Sequence, residues 1–198
     1  MLSAVETQRQ VFAQVAAQLE AWPRLKRAAA GLARTFKPTV ADALERAGSL
    51  ARQLYVAQLP APALALCQLL RAIPFNGNFN HWTWIEYALA LEWRLHTEAD
   101  QPAQAQHCLA VLQAANAAGT PDEQQTKESA QQNRLHGILL RPEAGEEAEQ
   151  AGDAALAALW YSVEIAELLY MLALGGSGRW PPAALEERLA VVLGRLRR

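Results

Sequence analysis

Proline placement constrains this chain more than any other feature. Ten prolines, from Pro23 to Pro182, divide 198 residues into stretches in which apolar side chains recur at helical spacing. Proline lacks the N–H that a helix interior needs, yet it fits the first helical turn, where that donor has no partner anyway. Each proline therefore reads as the start or the stop of a helix. Alanine is abundant and β-branched residues are scarce, which favours helix over strand. No segment alternates as a strand would, so the fold class is all-α.

The helices follow from the punctuation. Val5, Phe12, Val15, Leu19 and Trp22 predict one amphipathic helix up to Pro23. A short basic helix follows over 25–36. Pro38 opens a third, running to about Gln58, and Pro60 and Pro62 mark the turn into a fourth over 63–73. After the turn FNGNFN (75–80), in which Gly77 would supply a positive φ, Phe79 and Asn80 are expected to staple and cap a long helix from about Asn80 to Glu98. Its partner covers 103–118 and is closed by Gly119. Thr120 and Glu123 have capping-box spacing. Beyond Pro142, the acidic run 143–153 is either a helix start or a mobile loop. Leu156 to Leu174 is strongly apolar, GGSG (175–178) is a break, and Pro181 and Pro182 open a final helix ending in RLRR. One domain spans 1–198, with flexibility expected at 142–153 and 175–180.

No window holds the roughly 18 uninterrupted apolar residues of a membrane span, and the amino terminus lacks a secretory pattern. Cys67 and Cys108 lie far apart without ligand spacing and are expected to be free, buried thiols in a reducing cytoplasm. The net charge of −2 conceals an asymmetry. Residues 1–75 carry nine Lys/Arg against four Asp/Glu, whereas 76–175 carry four against fourteen. Without a basic stripe interleaved with aromatics, nucleic acid is an unlikely partner. The acidic middle suits a basic protein.

The helices also repeat. PALALCQLL at Pro62 returns in outline as PAQAQHCLAVL at Pro102, forty residues on. In LARQLYVAQLPAPALALCQLLRAIP (50–74), Ala51 and Ala63 are small enough for close helix approach, Leu54, Cys67 and Leu70 fill apolar positions, and Pro74 ends the unit. Over residues 40–118 the pattern resembles the tetratricopeptide (TPR) family, although the consensus tryptophan and glycines are missing and the period is longer. The resemblance implies stacked antiparallel helical hairpins and a protein-binding habit. The alternative architecture is an irregular helical bundle.

Catalytic constellations are sparse. No serine lies in a nucleophile motif, and GGSG lacks the flanks of a phosphate loop. Glu92 and His96 share a helix face, and His96 and His107 flank one turn, but together they fall short of a zinc ligand set. Glu164 and Glu167, beside Trp160, Tyr161 and Tyr170, read as the polar stripe of an amphipathic helix. No enzyme activity, metal or cofactor is therefore expected. The reading is a cytoplasmic protein-binding protein. In size, helical class and acidic middle the chain resembles helical immunity proteins found beside polymorphic or type VI-secreted bacterial toxins, which implies a basic toxin domain as partner. His81, Trp84, Glu86, Glu92, Glu143, Glu146, Glu147 and Glu149 are the expected contact residues. The alternative is a small-molecule sensor or adaptor with an aromatic pocket at Trp82, Trp84 and Trp93.

Overall fold

A computed structural model describes residues 3–74, 79–117, 120–125, 143–176, 178 and 180–197, and among them there is no strand. Helix α1 (Ala4–Ala17) starts at a capping box. The Ser3 hydroxyl accepts the Glu6 N–H at 3.2 Å, while the Glu6 carboxylate accepts the Ser3 N–H at 2.8 Å. The helix stops five residues short of Trp22, so Trp22 is not part of its apolar face and stands 41 % exposed. Pro23 takes the first position of α2 (Pro23–Thr35). Then come α3 (Ala41–Val56), α4 (Pro60–Arg71), α5 (Phe79–Glu98) and α6 (Pro102–Ala117). The expected box at Thr120 and Glu123 is formed, with hydrogen bonds of 2.7 and 3.3 Å, and residues 121–125 are helical. Helices α7 (Ala144–Gln150), α8 (Ala154–Ala173) and α9 (Pro182–Leu196) complete the order. The acidic run is thus largely helical. Phe79 and Asn80 lie inside α5 rather than before it, so Asn80 is not its cap. The FNGN turn at 75–78 and Gly119 fall outside the described residues.

Three hairpins share one turn. After α3, Gln58 adopts φ 60°, its N–H reaches the Tyr55 carbonyl at 3.0 Å, and the Leu59 N–H reaches Leu54 at 2.9 Å. After α5, Asp100 adopts φ 54°, with the same bonds to Thr97 at 3.2 Å and from Gln101 to His96 at 2.9 Å. After α7, Gly152 adopts φ 77°, with the bonds to Glu149 at 3.0 Å and from Asp153 to Ala148 at 2.9 Å. Each is a Schellman closure: a left-handed residue satisfies the last carbonyls, and the next helix begins two residues later. The first two hairpins are therefore related by forty-two residues, with Pro60 equivalent to Pro102, not by the forty that pairing Pro62 with Pro102 suggests. Pro62 lies within the first turn of α4, where its missing N–H is harmless.

The hairpins α3/α4 and α5/α6 stack, with α5 packing on both α3 and α4, and α1/α2 covers the other side. Helix α8 lies across α5 and, more lightly, α3. Its last ten residues, Glu164 to Ala173, are all buried, so helices α7 and α9 and the hairpins enclose it. By length and composition α8 could cross a membrane, with a mean hydropathy of 1.4 over its best eighteen residues. Here it is instead the core helix, and two carboxylates within it find partners in the protein.

Those carboxylates correct the expected polar stripe. Glu164 is buried and held bidentately by Arg188, Nε to Oε1 at 2.6 Å and Nη2 to Oε2 at 3.1 Å. Glu167 is buried and accepts the Tyr87 hydroxyl. Tyr87 also stacks edge-on with Trp84 and Tyr170, at 5.8 and 6.0 Å. Helix α7 approaches so closely that Gly145 sits against the Tyr161 ring, where any Cβ would collide with it.

A surface groove and a buried polar cluster

Two features stand out, one on the surface and one inside. The first is a groove of about 820 Å³ formed where the ends of four helices meet. The start of α2 gives Trp22, Arg24 and Leu25, the end of α3 gives Val56, and the end of α9 gives Leu196 and Arg197. Ala155, Ala158, Leu159 and Ser162 of α8 form its floor, at the i, i+3, i+4 and i+7 spacing of one helix face. Leu159 is 60 % exposed, and Leu156 beside it 43 %. Among the described residues the lining holds no carboxylate; its charged members are Arg24 and Arg197, and the latter's Nε donates to the Val56 carbonyl at 2.9 Å.

The second feature lies between α5 and α6. Glu92, His96 and Cys108 bring a carboxylate oxygen, an imidazole nitrogen and a thiol sulfur within 4.8 Å of one another, all buried. The His96 Nδ1 faces the Gln101 Oε1 at 2.7 Å, so the proton belongs on Nδ1 and the Nε2 lone pair points inward. Nε2 lies 3.7 Å from Glu92 Oε1, too far for a hydrogen bond. The other oxygen, Oε2, is 3.3 Å from Arg71 Nε, at ion-pair distance but without hydrogen-bond alignment. Burial raises the Glu92 pKa, and Arg71 and His96 oppose the shift. Burial, with the Glu92 carboxylate close by, pushes the Cys108 thiol up to about 12, so it is protonated at neutral pH. A cavity of about 330 Å³, lined also by Gln68, Arg71 and His107, opens the cluster to solvent. Both cysteines are free and buried, as expected.

The expected contact residues disperse. Glu86 and Glu92, anticipated at a surface, are 2 % and 1 % exposed; α5 is covered on the faces that carry them by its stacking between hairpins and α8. Trp84 is half-buried against the core, and the His81 side chain lies outside the described residues. Glu143, Glu147 and Glu149 are exposed and Glu146 half-buried. Glu146 pairs with Arg188 at 3.0 Å and Arg195 at 3.3 Å, and Glu149 pairs with Arg195. These acidic residues of α7 are thus engaged by two arginines of the final helix. Trp93 lines a depression of about 240 Å³ with the α5/α6 turn, away from Trp82 and Trp84, so the three tryptophans do not share that pocket.

The i,i+4 pair Glu92 and His96 was visible in the sequence. Cys108 joins them only because the hairpin folds α6 back on α5, and the groove has no sequence signature because four separate helix ends build it. Neither a curated protein nor a solved structure matches the chain. Residues 3–198 match the model of a family of unknown function, DUF6707, and the chain belongs to that family.

Proposed function

We propose that the protein is a non-enzymatic binding module that takes an acidic, amphipathic helix of a partner protein into the groove between α2, α3, α8 and α9. The observation that carries this reading is the groove itself: an apolar floor with Leu159 60 % exposed, edged by Arg24 and Arg197 and, among the described residues, without a carboxylate. Contiguous exposed apolar surface rimmed by charge marks interaction sites, and a helix laid into such a groove buries one apolar face while its acidic flanks meet the arginines. A role in neutralising a toxin is a narrower form of the same reading. It calls for an acidic docking element on the toxin, because Glu146, Glu149 and Glu164 are already engaged by Arg188 and Arg195.

The test uses a displayed library of helical peptides selected against the full chain. Enriched sequences should carry apolar residues at i, i+3, i+4 and i+7 with Asp or Glu alongside. Leu159→Asp, at a site too exposed to threaten folding, should weaken the best peptide at least tenfold, and Arg24→Glu should remove the acidic preference. Binding unchanged by both substitutions sinks the proposal. A concentration-dependent dimer, abolished by Leu159→Asp, would replace the partner helix with a second copy of this chain.

A further inference from the structure

The two stacked hairpins can be superposed residue on residue at their common offset of forty-two, and the match exposes a substitution of kind. Leu50, Leu54 and Leu66 of the first hairpin correspond to Glu92, His96 and Cys108 of the second. All six are buried. One seam between paired helices is filled by three leucines, whereas the equivalent seam holds a carboxylate, an imidazole and a thiol. Packing alone favours leucines, because each polar group must give up water to enter the interior. The polar set also comes close to the arrangement a metal ion requires, within reach of side-chain rotation. Ligand atoms on a tetrahedral ion, with bonds of roughly 2.0–2.3 Å, lie about 3.3–3.8 Å apart. The Glu92 Oε1 to His96 Nε2 separation is 3.7 Å, and the sulfur lies within 4.8 Å of a carboxylate oxygen and of an imidazole nitrogen.

We propose that Glu92, His96 and Cys108 bind a divalent transition metal of the zinc class, with a fourth position facing the cavity at whose mouth His107 stands. A mixed oxygen, nitrogen and sulfur set suits a borderline ion. Carboxylate and thiolate together cancel the dication's charge, which a buried site needs. Coordination releases the Cys108 proton to solvent. The surroundings do the work of outer partners: Gln101 fixes the His96 tautomer so that Nε2 is the free donor, and Arg71 holds Glu92 Oε2 while Oε1 faces the imidazole. The cavity gives the ion a route in.

Full-length chain stripped with a chelator is titrated with Co²⁺ and then with Zn²⁺, with helicity followed by circular dichroism. One Co²⁺ per chain should bind with a thiolate-to-cobalt charge-transfer band, and Zn²⁺ should displace it. Cys108→Ala should abolish the band and Cys67→Ala should leave it. His96→Gln should weaken binding at least tenfold, a second measure should Cys108→Ala impair folding. Gln101→Ala, which touches no metal, should weaken it about 10–100-fold. A folded wild-type chain without the band overturns the proposal. So does a band that survives Cys108→Ala or disappears with Cys67→Ala, since Cys67 lies near Glu92 and Cys108 and the ligand set would then be a different one.

Discussion

Hairpins α3/α4 and α5/α6 have the same turn and the same proline two residues after the left-handed position, yet opposite interiors. In the first, Leu50, Leu54 and Leu66 are buried; in the second, Glu92, His96 and Cys108 occupy the equivalent places. The backbone geometry therefore does not dictate the content of the seam. What distinguishes the second hairpin is its supporting cast, Arg71 reaching from α4 and Gln101 from the turn, each placed against a polar side chain. A buried polar group is tolerated where neighbours satisfy it and is costly where they do not.

The largest expected effect comes from moving one polar group into the wrong hairpin. Leu50→Glu places the counterpart of Glu92 in a seam of leucines and should cost about 3–5 kcal/mol in urea unfolding, the penalty of a buried charge without a partner. A loss below about 1 kcal/mol would mean that the seams are interchangeable and the comparison empty. The reverse change dresses the second hairpin as the first. Combined Glu92→Leu, His96→Leu and Cys108→Leu should be neutral or stabilising by about 1–4 kcal/mol in chelator, since buried ionic groups are often less stable than well-packed hydrophobic ones. A strong destabilisation in chelator would instead make the cluster a structural keystone. The smallest effects lie in the turns. Gly152→Ala should cost about 1–2 kcal/mol through backbone strain alone, since a Cβ there meets nothing within 4 Å. Gln58→Gly at the equivalent position should gain at most about 1 kcal/mol. Equal responses at the two sites would show that the turns are not equivalent.

How much of this was legible before the structure depended on distance along the chain. The helix start at Pro182 and the capping box at Thr120 are local events, written in adjacent residues, and they stand as read, while the helices expected from 25 and 103 begin one or two residues earlier, on Pro23 and Pro102. Pairing Pro62 with Pro102 sets the repeat two residues out of register, because Pro60 and Pro62 are both acceptable in a first helical turn and only the left-handed Gln58 decides between them. Burial was harder still. Glu86 and Glu92 are charged residues of a helix that packs on α3, α4, α6 and α8, and contacts from so many separate elements bury both. The same long-range packing hides Glu164 and Glu167, whose partners Arg188 and Tyr87 lie 24 and 80 residues away.

The position of α8 has a consequence in time. During synthesis α3 and α5 are complete when residue 98 has been added, but the helix that covers them ends at residue 173. At roughly 5–20 residues per second, the ribosome leaves that apolar surface uncovered for about 4–15 seconds. Throughout that interval the nascent chain holds stacked helices with an open apolar flank, so its safe delivery depends on how fast translation proceeds and on what else binds that flank first.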